Sequence, residues 1–403
     1  MKKMKKMKWM TWVLGLLLAV PASAVAIELT DYIDPDIYWQ DAELSAMFTA
    51  RDGNRDQTSY DGYGEVDWEL EYSTLPMKWR AAAVGTMDFN RGPDDDDDSQ
   101  ENITFDAWSD AKLYQTAAGN GLFYFGRAEY GYRNIEAQDL PENNRAEAIV
   151  GAGYGRIITA TPLMEAIRAV EDLQKYGIIQ GAVSDATYLK LAAVIAKEQE
   201  YQSRYSLREY EKFWYEAMEE ILRNEGVLAD ETLGAMGVIR IQDILTVENV
   251  LERRHGWEAR AGLGFQIVDY SGNEADPLFR AALEYAKPFG LQWQFMDTVT
   301  YATILEDWDF GDTDHNFANI ASLTYEINET IDWINIWQFD VIVPSDGDED
   351  ETYINHLETG LEFYITNTVD LVTRLEFDHY DHGDNPDDEV ETTFFVGVTY
   401  TIF

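Results

Sequence analysis

Glu391-Thr392-Thr393-Phe394-Phe395-Val396-Gly397-Val398-Thr399-Tyr400-Thr401-Ile402-Phe403 ends the chain. Phe394, Val396, Val398, Tyr400 and Ile402 fall on one face of this stretch, and Thr393, Gly397, Thr399 and Thr401 on the other. A period of two is the mark of a strand with one apolar face. The rest of the chain can be read outward from this strand, hairpin by hairpin.

Alternating segments separated by turn signals are expected at 42–51, 62–72, 77–89, 103–116, 121–133 and 144–157, and again at 256–269, 278–287, 290–305, 316–327, 331–343, 352–365, 369–380 and 389–403. Their connections alternate in kind. One set is short: Thr74-Leu75-Pro76, Gly119-Asn120-Gly121, Pro288-Phe289, Asn328-Glu329-Thr330 and Asn367-Thr368, of which the Asn-Gly pair suits a tight hairpin turn. The other set is longer and acidic: Asp94 to Asp98, Glu136 to Glu142, Asp307 to Asp314, Asp346 to Glu351 and Asp384 to Glu389. The faces alternate too. Val66, Trp68, Leu70 and Tyr72 interleave with Glu65, Asp67, Glu69 and Glu71, and four successive carboxylates on one strand face are tolerable only against water.

The first 26 residues carry Lys2, Lys3, Lys5, Lys6 and Lys8, then an apolar stretch from Trp9 to Val20, then small residues ending at Ala24 or Ala26. This is the pattern of a cleaved secretory signal, too short to span a bilayer. No later segment is apolar for long enough to cross a membrane as a helix. The 403 residues contain no Cys, which excludes disulfides and thiolate metal sites. The formal charge is −45, and about −50 without the signal's five lysines. Nucleic acid is therefore excluded as a partner, because its phosphates would be repelled. Disorder is excluded by 12 Trp, 24 Tyr and 18 Phe.

The leader, the ladder of about 14 strands, the alternation of short turns with long acidic loops and the aromatic terminal residue together resemble a bacterial outer-membrane β-barrel of porin-like type. The resemblance covers about 300 residues and implies an all-β transmembrane fold, an antiparallel up-and-down barrel, with both termini and the short turns in the periplasm and the acidic loops outside. Its implied partners are outer-membrane lipids, lipopolysaccharide and the barrel-assembly machinery. The closing strand is expected to pair with the first strand near Asp41. One departure from the family pattern is that the apolar face of the last strand is continued by Ile402, not by Phe403. Aromatics near strand ends, Tyr130 and Tyr132, Trp333 and Trp337, Tyr400 and Phe403, fit interfacial girdles.

Residues 158–255 break the ladder and divide the mature chain into a first barrel half, 27–157, and a second, 256–403. Thr161-Pro162 opens a helix that Gly177 ends. Ser184 opens another through about Gln202. Ser206-Leu207-Arg208-Glu209 reads as a capping box, followed by a stripe of Leu207, Tyr210, Phe213, Trp214, Ala217, Met218, Ile221 and Leu222. A fourth helical stretch runs from about Asp230 to Arg254. About four helices are expected, forming a small domain at a periplasmic turn, with a plug inside the barrel as the alternative location. The insert carries 11 basic and 17 acidic residues, so nearly all of the excess acidity belongs to the barrel.

A channel would use inward charges. The acidic candidates are Glu65, Asp67, Glu69, Glu71, Asp106, Glu284, Glu358, Glu362 and Glu376, and the basic candidates Arg80, Arg127, Arg133, Arg260, Arg280 and Arg374. Carboxylates in such a setting concentrate cations and disfavour anions. Asp94, Asp95, Asp96, Asp97 and Asp98, and Asp348, Glu349 and Asp350, are candidate loops for loosely bound Ca²⁺ or Mg²⁺, though neither follows an EF-hand pattern. No other cofactor is expected. Asp378-His379-Tyr380-Asp381-His382 and His315 offer the only hydrolase-like grouping, without a nucleophile or a water-activating pair to complete it. Three functions follow: a passive cation-preferring channel, a docking protein whose insert binds a periplasmic protein or peptidoglycan, and, least supported, an outer-rim hydrolase.

Overall fold

The computed structural model describes residues 27–53, 56–116, 120–135, 140–206, 208–247, 251–268, 276–305, 313–345, 350–366, 369–382 and 389–400. The signal sequence, Asp348, Glu349, Asn367-Thr368 and the last three residues lie outside them. Fourteen strands form one sheet in strict chain order, every neighbouring pair antiparallel. They are β1 (Ile37–Arg51), β2 (Ser59–Ser73), β3 (Met77–Arg91), β4 (Gln100–Tyr114), β5 (Leu122–Ile135), β6 (Leu140–Thr159), β7 (Arg254–Val268), β8 (Asp276–Phe289), β9 (Trp293–Ile304), β10 (His315–Asn328), β11 (Ile331–Val343), β12 (Thr352–Thr366), β13 (Val369–His382) and β14 (Glu391–Tyr400). The fold class expected from the sequence is the one observed.

The turns show why the register holds. Thr74 and Met77 exchange backbone hydrogen bonds around Leu75-Pro76. The Asn328 carboxamide accepts the Thr330 N–H at 2.9 Å and closes the β10–β11 turn. Between β8 and β9 the turn falls later than expected. Pro288 and Phe289 remain in the strand, and Gly290 turns the chain at φ +64°.

One face is predominantly apolar, with Asp297, Asn319, His379 and Asp381 among its exceptions. Trp68, Ala83, Ala107, Tyr130 and Ala146 are successive partners across β2–β3 and β4–β6, and Tyr301, Phe317, Val341, Tyr353 and Asp381 across β9–β13. Aromatics gather toward both ends of this face. At the short-turn end Tyr154 stacks on Trp257 at 5.6 Å, and Trp293 on Tyr325 at 4.1 Å. At the other end Phe105 meets Tyr130, and Phe279 meets Tyr301. On β10, Phe317 and Tyr325 lie eight residues apart, about 27 Å along the strand. At a tilt near 40° that is roughly 20 Å along the normal, close to the height of an apolar band.

The insert stands between β6 and β7. It comprises α1 (Thr161–Lys175), α2 (Asp185–Ile195), α3 (Glu198–Tyr205), α4 (Tyr210–Glu225) and α5 (Gly234–Gln242), extended by a π-helical turn, Asp243–Val247. The second expected helix is thus two. The Trp214 indole N–H donates to the Val194 carbonyl at 2.8 Å, drawing it toward α4, and the chain restarts at Glu198. The expected capping box is not made. Ser206 has φ +69°, outside the region an N-cap needs, and α4 begins at Tyr210 instead. Leu163, Met164, Ile167, Trp214, Met218 and Leu222 form the bundle's core, and Ile27, Leu29 and Tyr32 from the N-terminal segment complete it.

The expected pairing of the last strand with the first is absent among the described residues. β14 pairs with β13 alone, and β1 pairs with β2 and has α3 as its other packing neighbour. Both edges therefore present unpaired backbone groups, and in hydrocarbon each such group costs several kcal/mol. Leu44→Cys combined in turn with Phe394→Cys, Val396→Cys or Val398→Cys should therefore form a disulfide in one combination when the protein is in lipid. The natural chain lacks Cys, so the signal is clean, and three silent combinations would mean that the seam stays open.

Candidate functional site

The polar face is concave. Lys112 on β4 meets Glu258 on β7 at 2.6 Å, although two strands intervene. In a flat sheet those strands would lie about 14 Å apart. Arg280 on β8 likewise reaches Glu147 on β6 at 2.8 Å, past β7. Only the inside of a tightly curled sheet allows both contacts. Two glycines set the curl beside the insert. Gly155 (φ +102°) and Gly256 (φ +109°) lie on neighbouring strands, and a Cβ on either would come within 2.3 Å of the facing strand's carbonyl oxygen. Beyond Gly155 the alternation slips, so Arg156 turns inward. There it lies over the Tyr114 ring at 5.0 Å and donates to the Leu75 carbonyl at 3.0 Å.

All fifteen charges singled out in the sequence share this polar face. Across β2–β4, Glu71 pairs with Arg80, Glu65 and Asp67 face Thr86 and Val84, and Asp106 faces Val84 from the other side. Glu69 lies opposite Ala82. Arg127 and Arg133 are on β5, Arg260 on β7, Arg280 and Glu284 on β8, Glu358 and Glu362 on β12, and Arg374 and Glu376 on β13. Their neighbours divide the face in two. From β5 to β8, with Lys112 of β4, most charges are paired: Arg127 and Arg145 to Glu129, Arg280 to Glu147, Lys112 and Arg260 to Glu258, and Arg260 to Glu284, while Asp106 and Asp110 of β4 have no ion pair among the described residues. On β12–β13 Arg374 holds both Glu358 (3.0 Å) and Glu376 (3.6 Å).

β1 and β2 are different. Asp41 stands opposite Glu69, and Glu43 opposite Asp67. Among the described residues none of Asp41, Glu43, Glu65, Asp67, Glu69 or Glu71 is within 4 Å of a basic nitrogen, and Glu65 is held instead by the Tyr63 hydroxyl. The concave face thus has an ion-paired wall and an uncompensated acidic wall.

Sequence reasoning missed Lys112, Glu129, Glu147, Arg156 and Glu258, whose partners lie one to three strands away. It also missed His356, whose Nδ1 is 2.6 Å from Asp378. The grouping Asp378-His379-Tyr380-Asp381 is split by alternation: Asp378 faces His356 on the concave side, and His379 and Asp381 face outward with Asn355 and Tyr353. His315 is outward as well, bonded to the Tyr301 hydroxyl. The His382 side chain lies outside the described residues. In the Asp94–Asp98 loop the Asp97 carboxylate accepts the Asp94 N–H at 2.9 Å, and Gln57 binds the carbonyls of Gly92, Asp94 and Asp97. One of the loop's five carboxylates and three nearby carbonyls are thereby engaged, and among the described residues no group of three His, Asp or Glu is arranged to hold a metal ion.

The bundle is fastened to the short-turn rim by buried charge. Arg253 is fully buried and meets Glu326 at 2.5 Å, and Arg168 of α1 meets the same carboxylate at 2.6 Å. Arg253 also donates to the carbonyls of Leu291 and Gln292 in the β8–β9 turn. His255 Nε2 is 3.0 Å from the Tyr32 carbonyl. Within the bundle, burial and then the nearby Glu198 raise the Glu165 pKa to about 8. Burial also raises those of Glu171 and Glu198.

No family model and no curated protein matches the chain. Solved structures align with it over most of its length. They include the translocator domain of the autotransporter NalP from Neisseria meningitidis (7% identity, 92% of this chain and 90% of that one, TM-score 0.23). They also include the CymD monoaromatic hydrocarbon channel (10% identity, 92% and 89%, TM-score 0.25) and the β domain of the Bordetella autotransporter BrkA (9% identity, 91% and 100%, TM-score 0.18). The likeness is one of architecture alone, and the architecture itself stands on the register of the fourteen strands.

Two outcomes follow from the charges at the rim and in the bundle. Glu326→Ala leaves Arg253 buried without its carboxylate, at a cost of about 3–5 kcal/mol. Limited proteolysis should then cleave residues 161–247 much faster while the strands stay protected. Glu165 ionises near pH 8 in the folded bundle and near 4.5 when unfolded. Its contribution to stability is therefore complete below pH 4.5 and is lost as pH rises through 8. The bundle's melting temperature should fall by several degrees between pH 5.5 and 8.5, and Glu165→Gln should remove most of that fall.

Proposed function

We propose that the chain is a bacterial outer-membrane β-barrel, exported by its cleaved leader, that passes small solutes with a preference for cations. In this reading its helical bundle stands in the periplasm against the short-turn rim. The apolar outer face with aromatics toward both ends supports the membrane setting, and the acidic loops at the opposite end from the bundle support its orientation.

The observation that carries the selectivity is the difference between the two walls. Paired charges between β4 and β8 cancel over a few ångströms and leave little field in the passage. Of the carboxylates of β1 and β2, Glu71 stands opposite Arg80, but Asp41, Glu43, Glu65, Asp67 and Glu69 have no such partners, so their potential extends into the water beside them. Cations are enriched there and anions depleted.

Reversal potentials in planar bilayers under a KCl gradient test the proposal. Cation preference is expected, and Glu65→Gln, Asp67→Asn, Glu69→Gln and Glu71→Gln together should lower the K⁺/Cl⁻ permeability ratio severalfold. Arg260→Gln on the paired wall should change it much less. Anion preference, or no conductance from inserted protein, overturns the proposal.

A further inference from the structure

Among the described residues the outward face carries a depression that its own side chains do not fill. A groove of about 530 Å³ crosses β6 to β9. Its floor includes Ala152, Ala259 and Ala261, and its walls include Tyr154, Leu283 and Tyr301. These positions are consecutive partners on the apolar face: Ala261 lies opposite both Ala152 and Ala281, and Ala281 opposite Tyr301. Elsewhere on this face alanines such as Ala83 and Ala107 stand beside large side chains, Trp68 opposite Ala83 and Tyr130 opposite Ala107. Alanine stops at Cβ, so the missing volume lies between the aromatic walls.

Lys287 stands on the same face of β8, four residues beyond Leu283 toward the short-turn rim. That is about 13 Å along the strand. The side chain is exposed, and its Nζ lies 5.3 Å from the Phe289 ring. No carboxylate is within ion-pairing distance of it among the described residues. A cation on the lipid-facing side of so acidic a chain, at the end of an apolar groove, matches an amphiphile with an anionic head and an alkyl tail. The groove's side-chain lining is almost wholly alanine, leucine, valine and tyrosine, as an alkyl tail requires.

We propose that the groove binds one acyl chain of a phospholipid of the periplasm-facing leaflet, with Lys287 taking the phosphate. The site rests on the outer-membrane reading above. The lipid fills a surface that the neighbouring strands leave concave, and its phosphate fixes its depth at the rim where the bundle is attached. Tyr154, stacked on Trp257, is in register with Leu283 through Ala259 and walls the groove on the way to that rim.

The test is native mass spectrometry of the full chain, folded in detergent and given phosphatidylglycerol of defined chain length. Heat-modifiable migration of the same samples reports whether the barrel has formed. One retained lipid per chain is expected. Ala261→Leu fills the floor and should reduce retention about tenfold, and Lys287→Gln should reduce retention of this anionic lipid about fivefold, the effect of one lysine at a lipid surface. Ala107→Leu, on the same face outside the groove, should change neither. A barrel that forms but retains no lipid, or retains it equally in wild type and Ala261→Leu, overturns the site and leaves the outer-membrane reading standing. Failure to form a heat-modifiable barrel in any detergent or lipid overturns that reading, and the site with it.

Discussion

The backbone hydrogen bond is the constraint on which the rest of this structure depends. In hydrocarbon there is no water to satisfy an N–H or C=O, so a spanning chain must satisfy each one internally. A meander of neighbouring antiparallel strands does so with short turns, and its period of two sends alternate side chains to opposite surfaces. The division of this chain into an apolar face and a charged face follows from that one requirement. So does the difficulty at the seam. Thirteen of the fourteen strand-to-strand junctions of a closed ring are made, and the remaining one leaves two edges bare. Those edges are the place where the structure is least compatible with a bilayer, and α3 lies beside one of them.

Charge is handled by the same logic of local satisfaction, with different results in different places. At the rim, Arg253 has no exposure at all and is held by one carboxylate and several carbonyls, so it joins the bundle to three turns and strand ends at once. Between β4 and β8 the tight curl brings opposite charges from non-adjacent strands within contact, and the wall becomes nearly neutral. At β1 and β2, near the open edge, the curl brings nothing opposite. The carboxylates there face water and not a basic side chain from a non-adjacent strand. Curvature therefore decides which charges of the concave face find partners, as much as sequence does.

Much of this was legible in the residues. The period of two fixes parity, so once Val66 and Trp68 are assigned to one face, Glu65 and Asp67 must share the other, and the same rule placed all fifteen chosen charges together. Turn chemistry fixed the ladder's spacing at Thr74-Leu75-Pro76 and Asn328-Glu329-Thr330, and failed only where Gly290, two residues past Pro288, supplied the positive φ. What parity cannot give is distance across the curl. Lys112 and Glu258 are 146 residues apart in sequence, and nothing local in either strand announces the pair. The break between α2 and α3 was hidden for a related reason, since it depends on a tryptophan from another helix. His356 was overlooked because Asp378, its partner, was read with its sequence neighbours and not with the strand beside it.

Gly155 and Gly256 show how far one local feature reaches. Their positive φ values permit two backbones to close within a distance that any Cβ would forbid. That closeness curls the sheet, and the curl brings Lys112 to Glu258. It also reverses the alternation just before the insert, so Arg156 turns inward to the β2–β3 turn and Ile158 turns toward the bundle core. The helices can then leave the sheet on its concave side and meet the N-terminal segment and the β10 rim. A side chain at either glycine would disturb the ion-paired wall and the seat of the bundle together, which makes the junction of β6 and β7 the point where the architecture of the strands and the placement of the helices are decided jointly.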